Sequence, residues 1–426
     1  MGPALSYDAL RQVIIEQQEE VTHIRQQQWV ERSALQEALP MLDKTWVKVI
    51  IGVRRCGKSV FCHQLLRERE YGYINFDDER FIGISSADFN KVLQFLLECC
   101  PGVKIFLFDE VQNVEGWEIF INRLQRQGYN LVITGSNSKL LAKELVTRLT
   151  GRYIPIELSP FSFREFLRAK AFQWTPISLK KTKERAVLYT HLQDYLYHGG
   201  FPDIVIQGYY ASYLRELYDK IVGRDIVSRY QVRFIQSLKE LAIYCQANLG
   251  VGITFQKTKH IFGMNSLHTV KKHFQYLIDA YLVFLLDPFT FEYKELVKQP
   301  RKIYTVDNGL SAAVNPKFSE NKEAILENVI FQELRRRGNS FSYGGTVAKG
   351  VAFVLHTQKK VDSLLQVSWT LHDPIIRKQV SKVLLKAAKC LKCNDLSIIT
   401  LEEEGLEELD GQTIKIIPIW KWLLGL

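Results

Sequence analysis

The chain has 426 residues, of which 46% are hydrophobic, and a formal net charge of +10. That length exceeds one typical core and calls for two or three domains, while the absence of an 18-residue apolar run or a signal peptide excludes a membrane-spanning helix and argues for a cytoplasmic protein. The positive charge favours polyanionic partners without naming one, and seven irregularly spaced cysteines, with a single Cys390-x-x-Cys393 pair, suit reduced thiols rather than a disulfide framework or a metal site.

In chain order, residues 7–39 carry Leu10, Val13, Ile14, Val21 and Ile24 at helical spacing, which predicts a helix packed on the domain that follows. Trp46 to Ile51 is β-branched and apolar and reads as a buried parallel strand. The segment Gly52, Val53, Arg54, Arg55, Cys56, Gly57, Lys58, Ser59 then fits G-x-x-x-x-G-K-[ST], and a helical pattern runs from Val60 to Glu70. Glycines without Cβ atoms let the backbone N–H groups wrap phosphates at a helix N-terminus. Lys58 is placed to reach the β- and γ-phosphates and Ser59 to ligate Mg²⁺, with Gly52 through Val60 forming the nucleotide-binding stretch. An ordinary glycine-containing turn fits the same pattern, so a second motif has to decide.

Tyr71 to Phe76 predicts a second strand ending in Asp77, Asp78 and Glu79, and Asp88 to Cys100 a helix. The deciding motif is Ile105-Phe106-Leu107-Phe108-Asp109-Glu110, a strand buried on both faces with two acids at its carboxyl end. Asp109 is expected to hold Mg²⁺ through water and Glu110 to orient or activate the attacking water. A helix from Gly116-Trp117 and a strand over Asn130 to Thr134 follow. Ser136 and Asn137, just past that strand, are sensors of the γ-phosphate or caps of the next helix. Arg148 or Arg152, before a fifth strand over Tyr153 to Leu158, reaches a transition-state phosphate in its own or a neighbouring subunit, or is simply solvated.

Thr175 to Arg185 reads as a basic, mobile connector. Residues 237–249, 254–262 and 266–280 have three helical patterns broken at Gly250, Gly252 and Gly263, with candidate strands over 281–287 and 301–307, an arrangement that suits a helix-turn-helix. Between residues 241 and 278 there is no Asp or Glu, while Lys257, Lys259, Lys271 and Lys272 are present. Such a stretch contacts phosphates or is the solvated face of a packing module.

The loop at Gly52, Phe108-Asp109-Glu110-Val111-Gln112, Gly116-Trp117, Thr134-Gly135-Ser136, Leu158 to Phe166, Gly199-Gly200-Phe201-Pro202, Arg224-Asp225 and Tyr304 to Leu310 together resemble the prokaryotic AAA-type P-loop ATPases that carry a C-terminal domain of unknown function. The resemblance implies an α/β chain: an AAA-type P-loop domain with a parallel sheet, a winged-helix-like segment and an α/β domain similar to PD-(D/E)XK nucleases. It sets the expected domains at 1–40 (N-terminal helical segment), 41–170 (nucleotide-binding), 171–235 (helical lid or connector), 236–310 (winged-helix-like) and 311–426 (nuclease-like).

The last of these departs from the family. Where relatives carry Glu-x-Asp and Glu-x-Lys on successive strands, this chain has Gly350-Val351-Ala352-Phe353-Val354-Leu355 and Leu365-Gln366-Val367-Ser368-Trp369, without the acids or the lysine, so only Glu327 matches a nuclease carboxylate, and one acid cannot build a two-acid metal site. Arg377, Lys378, Lys382, Lys386, Lys389 and Lys392 form a basic helical stretch that tracks a phosphate backbone or pairs with the acidic run Glu402 to Asp410. The expected function is a Mg²⁺-dependent ATPase with Lys58, Asp109, Glu110, Ser136, Asn137 and Arg152 as catalytic candidates, Ser59 and Asp109 as metal ligands, and double-stranded DNA or a protein as partner. The alternatives are a nucleotide-dependent binding switch with little turnover and an active nuclease.

Overall fold

The computed structural model describes residues 6–135, 151–208, 210–358 and 360–426, and the chain divides into two units, Met1–Ser159 and Pro160–Leu426. In the first unit, five strands rich in apolar residues, β1 (Val47–Ile51), β2 (Gly72–Asn75), β3 (Ile105–Asp109), β4 (Asn130–Gly135) and β5 (Tyr153–Glu157), pair in parallel in the order β2-β3-β4-β1-β5. β1 thus lies between β4 and β5, and the carboxyl ends of β1, β4 and β3 stand side by side, where ligands bind in open parallel sheets.

Helices α1 (Tyr7–Gln26), α2 (Leu35–Ala38), α3 (Lys58–Leu65), α4 (Phe89–Cys99) and α5 (Trp117–Arg126) accompany these strands. Leu10, Val13 and Ile14 of α1 join Phe76, Phe95, Phe106, Phe108 and Phe120 in one buried cluster. The two edges of the sheet are treated differently. On β2, the Gln18 amide donates to Tyr73 O (2.7 Å) and accepts from Tyr73 N (3.0 Å), and Gln17 does the same at Asn75 (3.2 and 3.0 Å). Two side chains therefore satisfy that edge as a neighbouring strand would. On β5, Pro155 has no N–H to offer.

The helix predicted over residues 7–39 stops at Gln26, where Gln27 turns extended and its N–H bonds Ile24 O. The run Gln26-Gln27-Gln28 offers no apolar side chain to the core, so nothing holds another helical turn against the sheet.

The second unit begins with α6 (Phe163–Ala169), α7 (Thr182–His198), α8 (Pro202–Gln207) and α9 (Ala211–Lys220), followed by a segment with π-helical winding over Ile221–Ser228. The segment expected as a connector over Thr175–Arg185 contains a buried Leu179 and the start of α7 at Thr182. The basic residues that made it look like a loop are the solvated first turns around that apolar anchor. Next come α10 (Ile235–Ala247), β6 (Gly252–Ile253), α11 (Phe255–Ile261), α12 (Leu267–Asp279), β7 (Val283–Leu286), α13 (Tyr293–Lys298) and β8 (Arg301–Thr305), the strands forming an antiparallel sheet in the order β6-β8-β7.

After α14 (Asn308–Val314) and α15 (Lys322–Arg336), six strands form the second large sheet, β9 (Phe341–Ser342), β10 (Phe353–Thr357), β11 (Lys360–Val367), β12 (Leu396–Thr400), β13 (Gly405–Leu409) and β14 (Gln412–Pro418), ordered β13-β14-β12-β11-β10-β9. β9, β10 and β11 are antiparallel neighbours, whereas β11, β12 and β14 run parallel. Helix α16 (Pro374–Leu391) buries Leu384 and Ala388 against this sheet, and α17 (Ile419–Leu424) closes the chain.

A buried polar knot ties the unit together. Asp307 accepts the N–H groups of Gly200 (2.7 Å), Gly309 (2.9 Å) and Leu310 (3.3 Å). A Cβ on Gly199 would sit 1.9 Å from the Asp307 Oδ1, so the glycine is required by the approach. Among the described residues no helix is long and apolar enough to cross a membrane.

Candidate nucleotide site

The loop after β1 owes its shape to glycines. Gly52 has φ +150°, and a Cβ there would lie 2.1 Å from Leu158 O; Gly57, at φ +94°, caps α3 in the left-handed region. The loop therefore delivers its chain into the N-terminus of α3, where unpaired N–H groups and the helix dipole attract an anion. Val53 and Cys56 are buried beneath it, Arg55 (φ +66°) is exposed and Arg54 half-buried, and Val60 is exposed on the first turn of α3. Burial pushes the Cys56 thiol up, which keeps it protonated.

Lys58 is buried with its Nζ donating to Gly52 O (3.3 Å) and Val53 O (3.2 Å) and 3.8 Å from the Glu110 carboxylate. Asp109, at the carboxyl end of β3, is buried and accepts a hydrogen bond from the Thr134 hydroxyl, with the Ser59 hydroxyl also favouring its charged form. Burial pushes its carboxyl up and the charge of Glu110 adds to that push, while the two hydroxyls and Lys58 oppose it. A buried carboxylate short of positive charge is a fitting ligand for a cation. Glu110 itself has φ +49° and ψ +41°, costly for a residue with a Cβ, and its N–H bonds Thr134 Oγ1 at 2.9 Å while its carboxylate takes a hydrogen bond from Gln112. Three strand ends and one helix start thus converge on a small polar centre.

Of the residues singled out from sequence, Gly52 through Val60, Asp109 and Glu110 come together here. Ser136, Asn137 and Arg148 lie outside the described residues. Arg152 is not brought to this centre within its own chain: it precedes β5, and because β5 runs parallel to β1 it sits at the opposite ends of the strands, about 15 Å away at ~3.3 Å per residue. Two residues of the site were given no role from the sequence. Thr134 joins Asp109 to the Glu110 backbone, and Arg32, buried before α2, donates to Cys56 O (2.8 Å) and Ser159 O (2.6 Å).

In the second unit, Gln366 Oε1 on β11 accepts the Ala352 N–H, just before β10, at 2.8 Å. Glu327 is committed elsewhere, to Lys302 Nζ (2.8 Å) and the Tyr304 hydroxyl. On α16 the pairing expected with the acidic run is made by two of the basic residues. Arg377 pairs with Glu407 (3.5 Å) and Lys389 with Asp410 (2.8 Å), whereas Lys378, Lys382 and Lys386 form an exposed row.

Residues 44–167 match a family model described as an AAA domain, and residues 189–321 match one described as a domain of unknown function (DUF8612). The chain is 35% identical over 401 residues to the uncharacterized protein MJ1544 of Methanocaldococcus jannaschii, covering 89% of this chain and 88% of that one. It is 32% identical over 411 residues to an uncharacterized protein of Haemophilus influenzae, covering 92% and 97%. Among solved structures, the Walker-type ATPase PABY2304 of Pyrococcus abyssi aligns with 67% of this chain and 96% of its own at 15% identity and a TM-score of 0.41. The RuvB Holliday junction branch migration motor of Thermotoga maritima aligns with 65% and 93% at 14% identity and a TM-score of 0.28.

Proposed function

We propose that this chain, which belongs to one family with these archaeal and bacterial relatives and matches an AAA domain over residues 44–167, is a Mg²⁺-dependent ATP hydrolase whose nucleotide cycle acts on the second unit. The observation that carries this is the convergence of Lys58, Ser59, Asp109 and Glu110 at the ends of β1 and β3. The amides of Gly52 to Ser59 bind the phosphates, and Lys58 turns from its own loop carbonyls to the β- and γ-oxygens. Mg²⁺ would be held by the Ser59 hydroxyl and, through water, by Asp109, and when bound it draws charge from the phosphate oxygens. Glu110, freed from Lys58 by that movement, orients the attacking water and receives its proton. Thr134 keeps both acids at fixed positions. ATP turnover that requires Mg²⁺ and is lost in Lys58→Ala tests the reading; nucleotide binding without turnover would favour a nucleotide-dependent switch.

The partner in this reading is double-stranded DNA. The order α10-β6-α11-α12-β7-α13-β8, with α13 in the connection between the two wing strands, suits a winged helix, with Lys271 and Lys272 exposed on α12. The order α15, then antiparallel β9-β10-β11, then α16 and the parallel β12 suits a nuclease-like domain. Ala352, Gln366 and Ser368 replace its acids and lysine, and Glu327 is held by Lys302 and Tyr304, so the domain binds without cleaving. The exposed row Lys378, Lys382, Lys386 repeats every ~6 Å along the helix and supplies the phosphate contacts.

A further inference from the structure

Arg32 is a buried arginine, only 4% exposed, in the extended stretch between α1 and α2. Its two terminal nitrogens reach apart, Nη1 to Cys56 O in the phosphate loop and Nη2 to Ser159 O, the last residue of the first unit. The planar fork suits this task because it sets two acceptors at a fixed separation, which an ammonium cannot do. Two backbone contacts lie beside it: Leu158 N donates to Ile51 O at 2.8 Å, and Gly52 is pressed so close to Leu158 O that no Cβ fits. The exit of β5 is therefore fastened to both shoulders of the loop.

We propose that Arg32 is a positioning residue that couples phosphate occupancy of the loop to the chain segment leading out of the nucleotide unit. In a planar trans peptide the C=O and the following N–H point in opposite directions. By holding Cys56 O, Arg32 aims the Gly57 N–H away from itself, toward the phosphate side of the loop, and polarises it. A phosphate that draws on that N–H tightens the Cys56 carbonyl on Arg32. The same guanidinium holds Ser159 O, so the change is delivered to the peptide that joins the two units. The inference rests on reading Gly52–Ser59 as a phosphate loop.

The test is hydrogen exchange on the full chain, with and without Mg²⁺ and a non-hydrolysable ATP analogue, in the wild type and Arg32→Lys. Lysine keeps the charge and loses the fork. In the wild type the analogue is expected to slow exchange about tenfold both in the loop amides and at Leu158 and Ser159. In Arg32→Lys the loop stays protected while Leu158 and Ser159 exchange as they do without nucleotide. If Arg32→Lys does not fold, Arg32→Gln, whose amide reaches one carbonyl, is read in the same way. Equal protection at both places in the variant overturns the proposal. Protection of the loop without protection at Leu158 and Ser159 in the wild type overturns it too, leaving the phosphate-loop reading intact. No protection anywhere in the wild type overturns both.

Discussion

Thr134 donates its hydroxyl to the buried Asp109 carboxylate across two adjacent parallel strands. The same oxygen accepts the Glu110 N–H at 2.9 Å, so one threonine fixes the acid expected on the metal side and the backbone of the acid expected at the water. Thr134→Val keeps the shape and removes both bonds. It is expected to lower stability by about 1–3 kcal/mol, the cost of leaving buried polar groups unpaired, and to slow ATP turnover by at least about tenfold. Thr134→Ser should restore most of both losses. Denaturant melts and steady-state turnover of the three proteins check this.

Gly52 offers a second test of the loop. Its φ of +150° and the 2.1 Å approach of Leu158 O leave no room for a methyl group. Gly52→Ala should cost about 1–3 kcal/mol through overpacking and weaken nucleotide binding, whereas Gly128→Ala, which meets no atom but is strained at φ +86°, should cost stability alone and leave affinity unchanged. Calorimetric titration with ATP distinguishes them.

Acid should weaken the first unit through His63. Burial, and then the charge of Arg25, hold this ring down at about 4, and its Nδ1 lies 2.7 Å from the Tyr71 hydroxyl. The fold keeps the ring neutral while the unfolded chain protonates it below about 6.5, so stability falls as pH drops from about 6.5 to about 4 and levels off below. The span is on the order of 3 kcal/mol at 1.36 kcal/mol per unit. Denaturation across that window should show a correspondingly shallower slope in His63→Gln.

The basic row on α16 makes a quantitative claim about DNA. Replacing Lys378, Lys382 and Lys386 by Ala should weaken duplex binding and lower the slope of log K against log salt by about 2.7, at ~0.9 for each phosphate that is no longer neutralised. Arg377→Ala and Lys389→Ala, which remove residues already paired with Glu407 and Asp410, should change the slope little. Titrations at several salt concentrations measure it, and equal slopes in all variants would exclude this surface.

The sequence disclosed the parts of the site that depend on residue type at fixed spacing. Gly52, Gly57, Lys58 and Ser59 have few interchangeable substitutes, and Asp109-Glu110 ends an apolar run that can only be a buried strand. Thr134 was read as part of a strand-end motif but given no role, because threonine is a favoured strand residue anyway and only its place beside β3 gives its hydroxyl a task. Arg32 was illegible for a different reason: one arginine in an extended stretch has no periodicity, and its partners are carbonyls 24 and 127 positions away. The basic helix was read as either binding or pairing because charge spacing does not reveal which acids stand opposite. The hairpin of β13 and β14 brings Glu407 to Arg377 near the start of the helix and Asp410 to Lys389 near its end, and leaves Lys378, Lys382 and Lys386 exposed between them.

The most direct test of the central claim compares the wild type with Glu110→Gln, measuring Mg²⁺-ATP affinity and turnover on the same preparations. The account predicts affinity within about threefold of the wild type and turnover at least about 100-fold slower, because the substitution removes the group that receives the water proton and little else. Equal turnover in the two proteins, or a wild type that binds ATP and does not hydrolyse it, would contradict it.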